Sequence, residues 1–189
     1  MEKILITAGS ERVFSEVSGL LKICVNGKIT RSSSGNETRR IINASEPDLI
    51  IISTPLNDEF GTELAVTAAE KTSAGIILLC SRQIFDEVSE KLEPYGVCVL
   101  SEPADPELFM HSVKLLDSGR ARMMNIMKEY SRLQNRIEET RIISRAKCIL
   151  VQYLKLTEAQ AHRYIEKQAM DTRQSRSAVA RSILTTYEH

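Results

Sequence analysis

Four short, continuously apolar runs most constrain what this chain of 189 residues can fold into. They lie at Lys3–Thr7, Asp48–Ser53, Gly75–Cys80 and Val97–Leu100. Runs of this length without polar alternation suit strands that are buried on both faces of a parallel sheet. A fifth, weaker strand is expected at Gly27–Ser32.

Segments with the apolar spacing of amphipathic helices separate these strands. They are Glu11–Leu21, Glu37–Ala44, Thr62–Lys71 and Gln83–Leu92. Strands that alternate with helices are typical of a doubly wound α/β domain, because each crossover helix covers one face of the sheet. We therefore predict an α/β domain with five strand–helix units over residues 1–119.

This order of elements resembles the receiver domain of two-component response regulators, over the whole of residues 1–119. The resemblance implies a phosphorylation site at the ends of the strands. It consists of an acidic pair after the first strand, an aspartate on the third, a hydroxyl residue on the fourth and a lysine on the fifth. The acidic pair holds Mg²⁺, which neutralises charge during phosphoryl transfer.

The matching positions of this sequence hold none of these groups. In the same order, they are occupied by Ala8, Gly9, Ser53, Cys80 and Glu102. Pro47 lies six residues before Ser53 and Gly61 lies eight residues after it, which supports the register. We therefore predict a degenerate receiver, or pseudo-receiver, that is not phosphorylated and that a sensor or regulator protein can bind instead.

Two further expectations concern the loops of this domain. Asp58 and Glu59 follow Pro55, and we expect them to form a solvated acidic turn rather than a relocated metal site. The resemblance also implies that Pro103 follows a cis peptide bond.

From Glu107 to Tyr153 the sequence has no proline and a single glycine, which predicts a long helix. Apolar residues recur across residues 120–139 at spacings of three and four, as in a short coiled coil. The residues expected to hold a homodimer along this seam are Met123, Ile126, Tyr130, Leu133 and Ile137. The alternative is an amphipathic helix that packs on its own domain.

Residues 140–189 predict a small all-α domain of three helices. Thr157 and Gln160 form a capping box for the second helix, and Ser175 or Ser177 can cap the third. The apolar stripes expected to form its core are Ile142, Ala146, Ile149, Leu150 and Tyr153, then Ala161, Tyr164, Ile165 and Ala169, then Val179, Ala180, Ile183, Leu184 and Tyr187.

Charge is distributed unevenly between the two parts of the chain. Residues 120–189 hold fourteen Lys and Arg against seven Asp and Glu, whereas residues 1–119 hold eleven against eighteen. Net charges of +7 and −7 are expected of a nucleic-acid module joined to an acidic one, although a solvated cationic surface is the alternative. The residues expected to contact phosphates are Arg145, Lys147, Arg163, Lys167, Arg173 and Arg176. Lys147 is expected to point into solvent beside Arg145.

The sequence Ile143-x-x-Ala146-Lys147-x-x-Leu150, followed by Glu158-x-x-Ala161 and Ala169-Met170, resembles the ANTAR domain of transcription antitermination regulators. Cys148 stands where that family usually has glycine, and Thr140 stands where it favours arginine. The resemblance implies a module that binds RNA hairpins in nascent mRNA leaders and prevents terminator formation.

Tyr164 has two readings, a platform on which a loop base stacks or a core residue, and its spacing favours the core. Two other functions stay open for the whole chain. One is a DNA-binding transcription factor with a helix-turn-helix, and the other is a protein-interaction adaptor with no nucleic-acid role.

Nothing in the sequence predicts an enzyme. Its three histidines, His111, His162 and His189, are dispersed, and no nucleophile is paired with a base. The four cysteines lack metal-ligand spacing, so we expect no cofactor and no metal. No run of eighteen apolar residues and no secretory leader is seen, which predicts a cytoplasmic protein without a membrane segment.

Overall fold

The computed structural model describes residues 1–187, so His189 and the end of the predicted C-terminal domain lie outside the described residues. Contacts between residues divide the chain into two units, Met1–Met124 and Asn125–His189. None of the described helices is both long and apolar enough to cross a membrane.

The first unit contains one sheet of five strands, all of them parallel, in the order β2-β1-β3-β4-β5. The strands are β1 Lys3–Ala8, β2 Lys28–Ser32, β3 Leu49–Ser53, β4 Gly75–Ser81 and β5 Cys98–Glu102. Every residue of β3 is buried, as the unbroken apolar run predicts for a central strand that is covered on both faces.

Helices cover both faces of this sheet. They are α1 Glu11–Cys24, α2 Gly35–Ala44, α3 Thr62–Lys71, α4 Phe85–Leu92 and α5 Pro106–Leu154. One apolar layer joins α2, α3 and α4 to the sheet, and the other joins α1 to Phe109 and Val113 of α5. The predicted doubly wound α/β class is therefore confirmed, and so is the long helix that follows it.

The carboxyl ends of the strands place the predicted site residues next to one another. Ala8 at the end of β1 pairs in register with Ser53 at the end of β3. Ser53 pairs in turn with Leu79 of β4, and Cys80 pairs with Ser101 of β5. The sheet order therefore assembles residues that lie far apart in the sequence at one edge.

The second unit contains the C-terminal part of α5 with α6 Glu158–Thr172 and α7 Arg176–Tyr187. Thr157 and Gln160 form the predicted capping box of α6, and the Ser175 hydroxyl accepts a hydrogen bond from the Ala178 backbone N–H at 3.1 Å. The buried core consists of Ile142, Ala146, Ile149, Leu150, Ala161, Ile165, Ala169, Val179, Ala180, Ile183 and Leu184.

Two tyrosines that we expected in this core are exposed instead. Tyr164 is 40% exposed, because the buried stripe of α6 is a single row of residues at intervals of four, and position 164 falls at its edge. Tyr153 lies near the end of α5, where its ring contacts the Tyr187 ring at 5.4 Å on the surface of the unit.

Candidate functional sites

A hydrogen bond joins two of the residues at the positions where the receiver resemblance implies a phosphorylation site. The Ser53 hydroxyl donates to Oε1 of Glu102 at 2.7 Å, across the ends of β3 and β5. Ser53 is buried and Glu102 is half-buried. The resemblance implies an aspartate and a lysine at these two positions. Glu102 therefore places a negative charge where a phosphoryl group would need a positive one.

The loop after β3 lies close to Gly9, one of the two positions where the resemblance implies an acidic pair. A Cβ added at Gly9 would lie 3.1 Å from the Pro55 carbonyl oxygen and 3.2 Å from Oδ1 of Asn57. The loop after β3 therefore packs closely on Gly9, and a side chain there would require this loop to shift slightly. Within residues 1–187, no three His, Cys, Asp or Glu side chains converge in a way that suits a metal ion.

Cys80 at the fourth-strand position is fully buried. Burial, and then the negative charge of Glu102, raise the pKa of the Cys80 thiol above its ordinary value. A protonated thiol is a poor nucleophile, so the side chain acts here as a small apolar residue.

Asp58 and Glu59 lie in a bend after β3, where Asp58 is exposed as expected of an acidic turn, and both side chains also bind α2. The Asp58 carboxylate accepts hydrogen bonds from the backbone N–H groups of Gly35 at 2.8 Å and Asn36 at 3.1 Å. These bonds lower the pKa of Asp58, and they place an anion at the positive N-terminus of α2. Glu59 forms an ion pair with Arg39, with Nη2 and Oε2 2.9 Å apart. Both acids therefore fasten the loop after β3 to α2.

Lys147 does not point freely into solvent as we expected. Its side chain is only 20% exposed, and its Nζ lies 2.8 Å from Oε1 of Glu158 at the start of α6. The helical turn places Lys147 next to the buried Ala146, on the side of α5 that α6 approaches, so its ammonium group meets Glu158. The Lys147 hydrogen bond lowers the pKa of Glu158.

Arg176 shares a carboxylate with a histidine. Its Nη1 lies 3.5 Å from Oε1 of Glu166, and Nε2 of His162 lies 3.3 Å from the same oxygen. All three side chains are at least partly exposed, so this is a surface cluster in which the charge of Arg176 is partly compensated. Arg145 is exposed on α5.

The remaining three residues that we predicted to contact phosphates are not paired with a carboxylate of the described residues. Arg163, Lys167 and Arg173 are exposed and form no salt bridge with any residue of the described part of the chain. Arg163 and Lys167 are four residues apart and therefore neighbours on one side of α6, with Tyr164 beside them. Arg173 follows the end of the helix. We call Arg163, Tyr164, Lys167 and Arg173 the α6 basic face.

The residues of the predicted seam all lie on the surface of the single chain. Met123, Ile126, Tyr130, Leu133 and Ile137 are between 55% and 68% exposed. Met127, between them on the same helix, is 57% exposed. Large apolar side chains repeated along one helix are unusual on a surface that only water contacts.

Comparison with known proteins identifies the C-terminal region. Residues 131–184 match the model of the ANTAR domain family. The transcriptional regulatory protein PdtaR of Mycobacterium tuberculosis, in strains CDC 1551 / Oshkosh and ATCC 25618 / H37Rv, is 25% identical over 158 residues. That similarity covers 84% of this chain and 77% of PdtaR.

Solved structures are similar to the N-terminal region in fold. A signal receiver domain of an HD domain-containing protein from Pseudomonas fluorescens Pf-5 has a TM-score of 0.59 and 17% identity, over 66% of this chain and 92% of that one. A response regulator receiver domain from Clostridium thermocellum has a TM-score of 0.58 and 17% identity, over 65% and 99%. The predicted receiver fold and ANTAR domain are thus both confirmed.

Proposed function

We propose that the chain, an ANTAR-domain regulator of transcription built on a receiver-type fold, acts as an RNA-binding antiterminator. In this proposal the C-terminal helices bind hairpins in nascent mRNA leaders and prevent terminators from forming. The receiver-type domain serves as a regulatory module that is not phosphorylated. The chain performs no catalytic step of its own.

The observation that carries this proposal is the α6 basic face. Cations that lack a carboxylate partner are free to replace the counterions of RNA phosphates, and that release drives salt-dependent affinity. Arg163, Lys167 and Arg173 meet this condition among the described residues. Their charge also belongs to a region with a net charge of +7, which attracts RNA over longer distances.

Tyr164 adds a means of recognising unpaired bases. An exposed aromatic ring between two cations is a common arrangement in proteins that bind single-stranded RNA, because every base has a face that can stack. Tyr164 is 40% exposed and lies between Arg163 and Lys167 on α6. We therefore assign the loop bases of a hairpin to Tyr164 and the phosphates on either side to the cations.

The other residues that we predicted to bind RNA are less suited to contact phosphates. The ammonium of Lys147 is already bound to Glu158, and Arg176 shares Glu166 with His162. A phosphate would have to replace those carboxylates, which reduces the net gain from each contact. We propose that Lys147 mainly holds the start of α6 against α5, and that Arg145 and Arg176 contribute at the edge of the surface.

We propose that a homodimer forms along the exposed seam, which would present two RNA-binding surfaces. The apolar side chains from Met123 to Ile137 follow coiled-coil spacing and have no cover in the single chain. A dimer would bury them and would match the paired hairpins that two modules could hold.

The proposed receiver function follows from the site at the ends of the strands. A phosphoryl group needs metal ligands and a nearby cation, whereas the matching positions hold Ala8, Gly9 and Glu102. The Ser53 hydroxyl is engaged by the Glu102 carboxylate. We propose that binding of a sensor or regulator protein replaces phosphorylation as the input.

The direct test is to crosslink the full chain to RNA in its own cells and to sequence the recovered transcripts. We expect enrichment of small hairpins upstream of terminators, and readthrough of those terminators when the protein is added to a transcription assay. Recovery of DNA fragments, or of no nucleic acid, would contradict the proposal in favour of a transcription factor or a protein-interaction adaptor.

A charge variant then tests the surface. Replacing Arg163 and Lys167 with Gln should reduce the salt dependence of hairpin binding, lowering the slope of log K against log salt by about two. The matched control is Lys22→Gln on α1, an exposed lysine of the first unit, which should leave the slope unchanged. Equal slopes in both variants would place the RNA on another surface.

A further inference from the structure

An open groove of about 830 Å³ lies beside the Ser53–Glu102 hydrogen bond, within the first unit. Its walls are mainly apolar and include Val13, Val17 and Leu20 of α1. Leu79 at the end of β4 and Pro103 after β5 continue the apolar surface to Glu102. The volume falls in the range of sites that bind small molecules, which typically combine apolar walls with a few polar groups.

Glu102 is the polar group that distinguishes this groove. Its Oε1 accepts the Ser53 hydrogen bond at 2.7 Å, whereas its Oε2 has no hydrogen-bond or ion-pair partner among residues 1–187. A half-buried carboxylate with one unpaired oxygen is stabilised by a positively charged donor. The groove therefore offers a place for a cation that the protein itself does not fill.

The other charges at the groove compensate each other. Arg12 and Glu16 both line it, and Nε of Arg12 lies 3.0 Å from Oε1 of Glu16, one turn along α1. This pair leaves Glu102 as the uncompensated charge of the groove. The surrounding residues 1–119 also carry a net charge of −7, which attracts cations and repels anions.

We propose that this groove binds an amphipathic organic cation, a small molecule with an ammonium or guanidinium group attached to an apolar body. The cation donates to Oε2 of Glu102, and the apolar body packs against Val13, Val17 and Leu20. The ligand thus supplies the positive charge that a receiver carries on its own lysine. This inference is independent of RNA binding, because the whole groove belongs to the first unit.

Three probes with the same apolar body and different charges test the proposal. They are 4-phenylbutylammonium, 4-phenylbutan-1-ol and 4-phenylbutyrate, titrated into the full chain near pH 7 and followed by methyl NMR. We expect saturable binding of the ammonium probe with shifts at Val13, Val17 and Leu20. The alcohol and the carboxylate should bind at least about tenfold more weakly, the difference that one charge-assisted hydrogen bond supplies.

Glu102→Gln isolates the charge, because the amide oxygen still accepts the Ser53 hydrogen bond. It should weaken the ammonium probe about tenfold, whereas the matched control Glu87→Gln, at an exposed acid of α4 outside the groove, should change affinity less than about twofold. Val13→Lys is a second variant in case Glu102→Gln unfolds. It places a cation in the groove wall and should abolish binding of the ammonium probe.

The proposal fails if the ammonium probe shows no saturable binding up to about 10 mM, a limit above which binding is too weak to be specific. It also fails if the three probes bind equally, or if a folded Glu102→Gln or Val13→Lys protein binds the ammonium probe as the wild type does. Each of these results leaves the RNA-binding proposal untouched.

Discussion

Arg173 occupies a backbone conformation that favours glycine. It follows α6 with φ of 53°, in the left-handed region, where the side chain of any other residue crowds its own backbone. Its N–H donates to the Met170 carbonyl at 3.3 Å, and the Gln174 N–H donates to the Ala169 carbonyl at 3.0 Å, which closes the helix end. An arginine here costs stability, so we expect it to have a function that glycine cannot supply.

Arg173→Gly separates the two effects. The left-handed conformation costs a residue with a side chain about 1 kcal/mol, and the greater freedom of glycine in the unfolded chain returns about half of that. We therefore expect the variant to be more stable by about 0.5 kcal/mol, which raises the melting temperature of a unit of this size by about 2–4 °C. Hairpin affinity should fall at the same time, and the salt slope should fall by about one.

The chain provides a matched control for the stability change. Lys155, just after the end of α5, has φ of 55° and is also exposed. Lys155→Gly removes the same strain and the same charge outside the α6 basic face, so it should raise stability equally and leave hairpin affinity unchanged. Arg173→Lys keeps both the charge and the strain, and it should retain most of the binding.

Circular dichroism melting and urea unfolding of the full chain measure the stability, and hydrogen exchange of the α6 amides locates the change. Filter binding to a recovered hairpin at several salt concentrations measures the affinity. A more stable Arg173→Gly protein with wild-type affinity and slope would refute the role of Arg173 in phosphate binding. A loss of affinity shared equally by Lys155→Gly would show that the contact surface extends to the end of α5.

Three further predictions concern the receiver-type unit and the seam. Acetyl phosphate with Mg²⁺ should add no phosphoryl mass to the intact chain, and Ser53→Asp should not restore the reaction, because the metal ligands are still missing; a stoichiometric mass increase would contradict this. Replacing Ile126 and Leu133 with Asp should convert a dimer into a monomer in sedimentation, since each carboxylate would otherwise be buried at a cost of several kcal/mol; a dimeric variant would move the contact elsewhere. Burial of Asp48 alone would raise the pKa of its carboxyl group. Its pKa is nevertheless lowered, because the backbone N–H groups of Glu2 and Lys3 and the Arg120 guanidinium stabilise the charged form. The stabilisation of the folded protein by the Asp48 carboxylate is therefore present above about pH 3.9 and is lost as the pH falls through the lowered pKa. The difference in urea midpoint between wild type and Asp48→Asn should be clear at pH 7 and shrink in acid. A difference that does not depend on pH would refute this prediction.

The receiver fold was predictable because its signals are local. The apolar run at Leu49–Ser53 is too short for a helix and too uniform for a half-exposed strand, so burial on both faces was the only consistent interpretation. The α6 capping box was equally local, since Thr157 and Gln160 satisfy each other within one turn. Such patterns need no knowledge of the rest of the chain.

Interactions between distant residues were not predictable in the same way. Asp58 caps a helix that begins 23 residues earlier, so nothing near Asp58 in the sequence indicates its partners. Lys147 meets Glu158 only because α5 and α6 turn back on each other. Tyr164 was expected in the core because of its spacing from Ala161 and Ile165, but the stripe that α6 buries is one row wide. The exact width of a buried stripe depends on the neighbouring helices, which a single sequence does not show.

A hydrogen-bonded pair occupies the two positions where the receiver resemblance implies an aspartate and a lysine. Ser53 and Glu102 join the ends of β3 and β5 by a hydrogen bond of 2.7 Å, so these strand ends are connected without an aspartate or a lysine. The charge of the added group that this pair stabilises is opposite to the charge that a receiver lysine stabilises. A receiver with a lysine on β5 stabilises an added anion, whereas a carboxylate at that position stabilises an added cation. We therefore expect the input that we propose in place of phosphorylation to be positively charged, whether a protein or a small molecule delivers it.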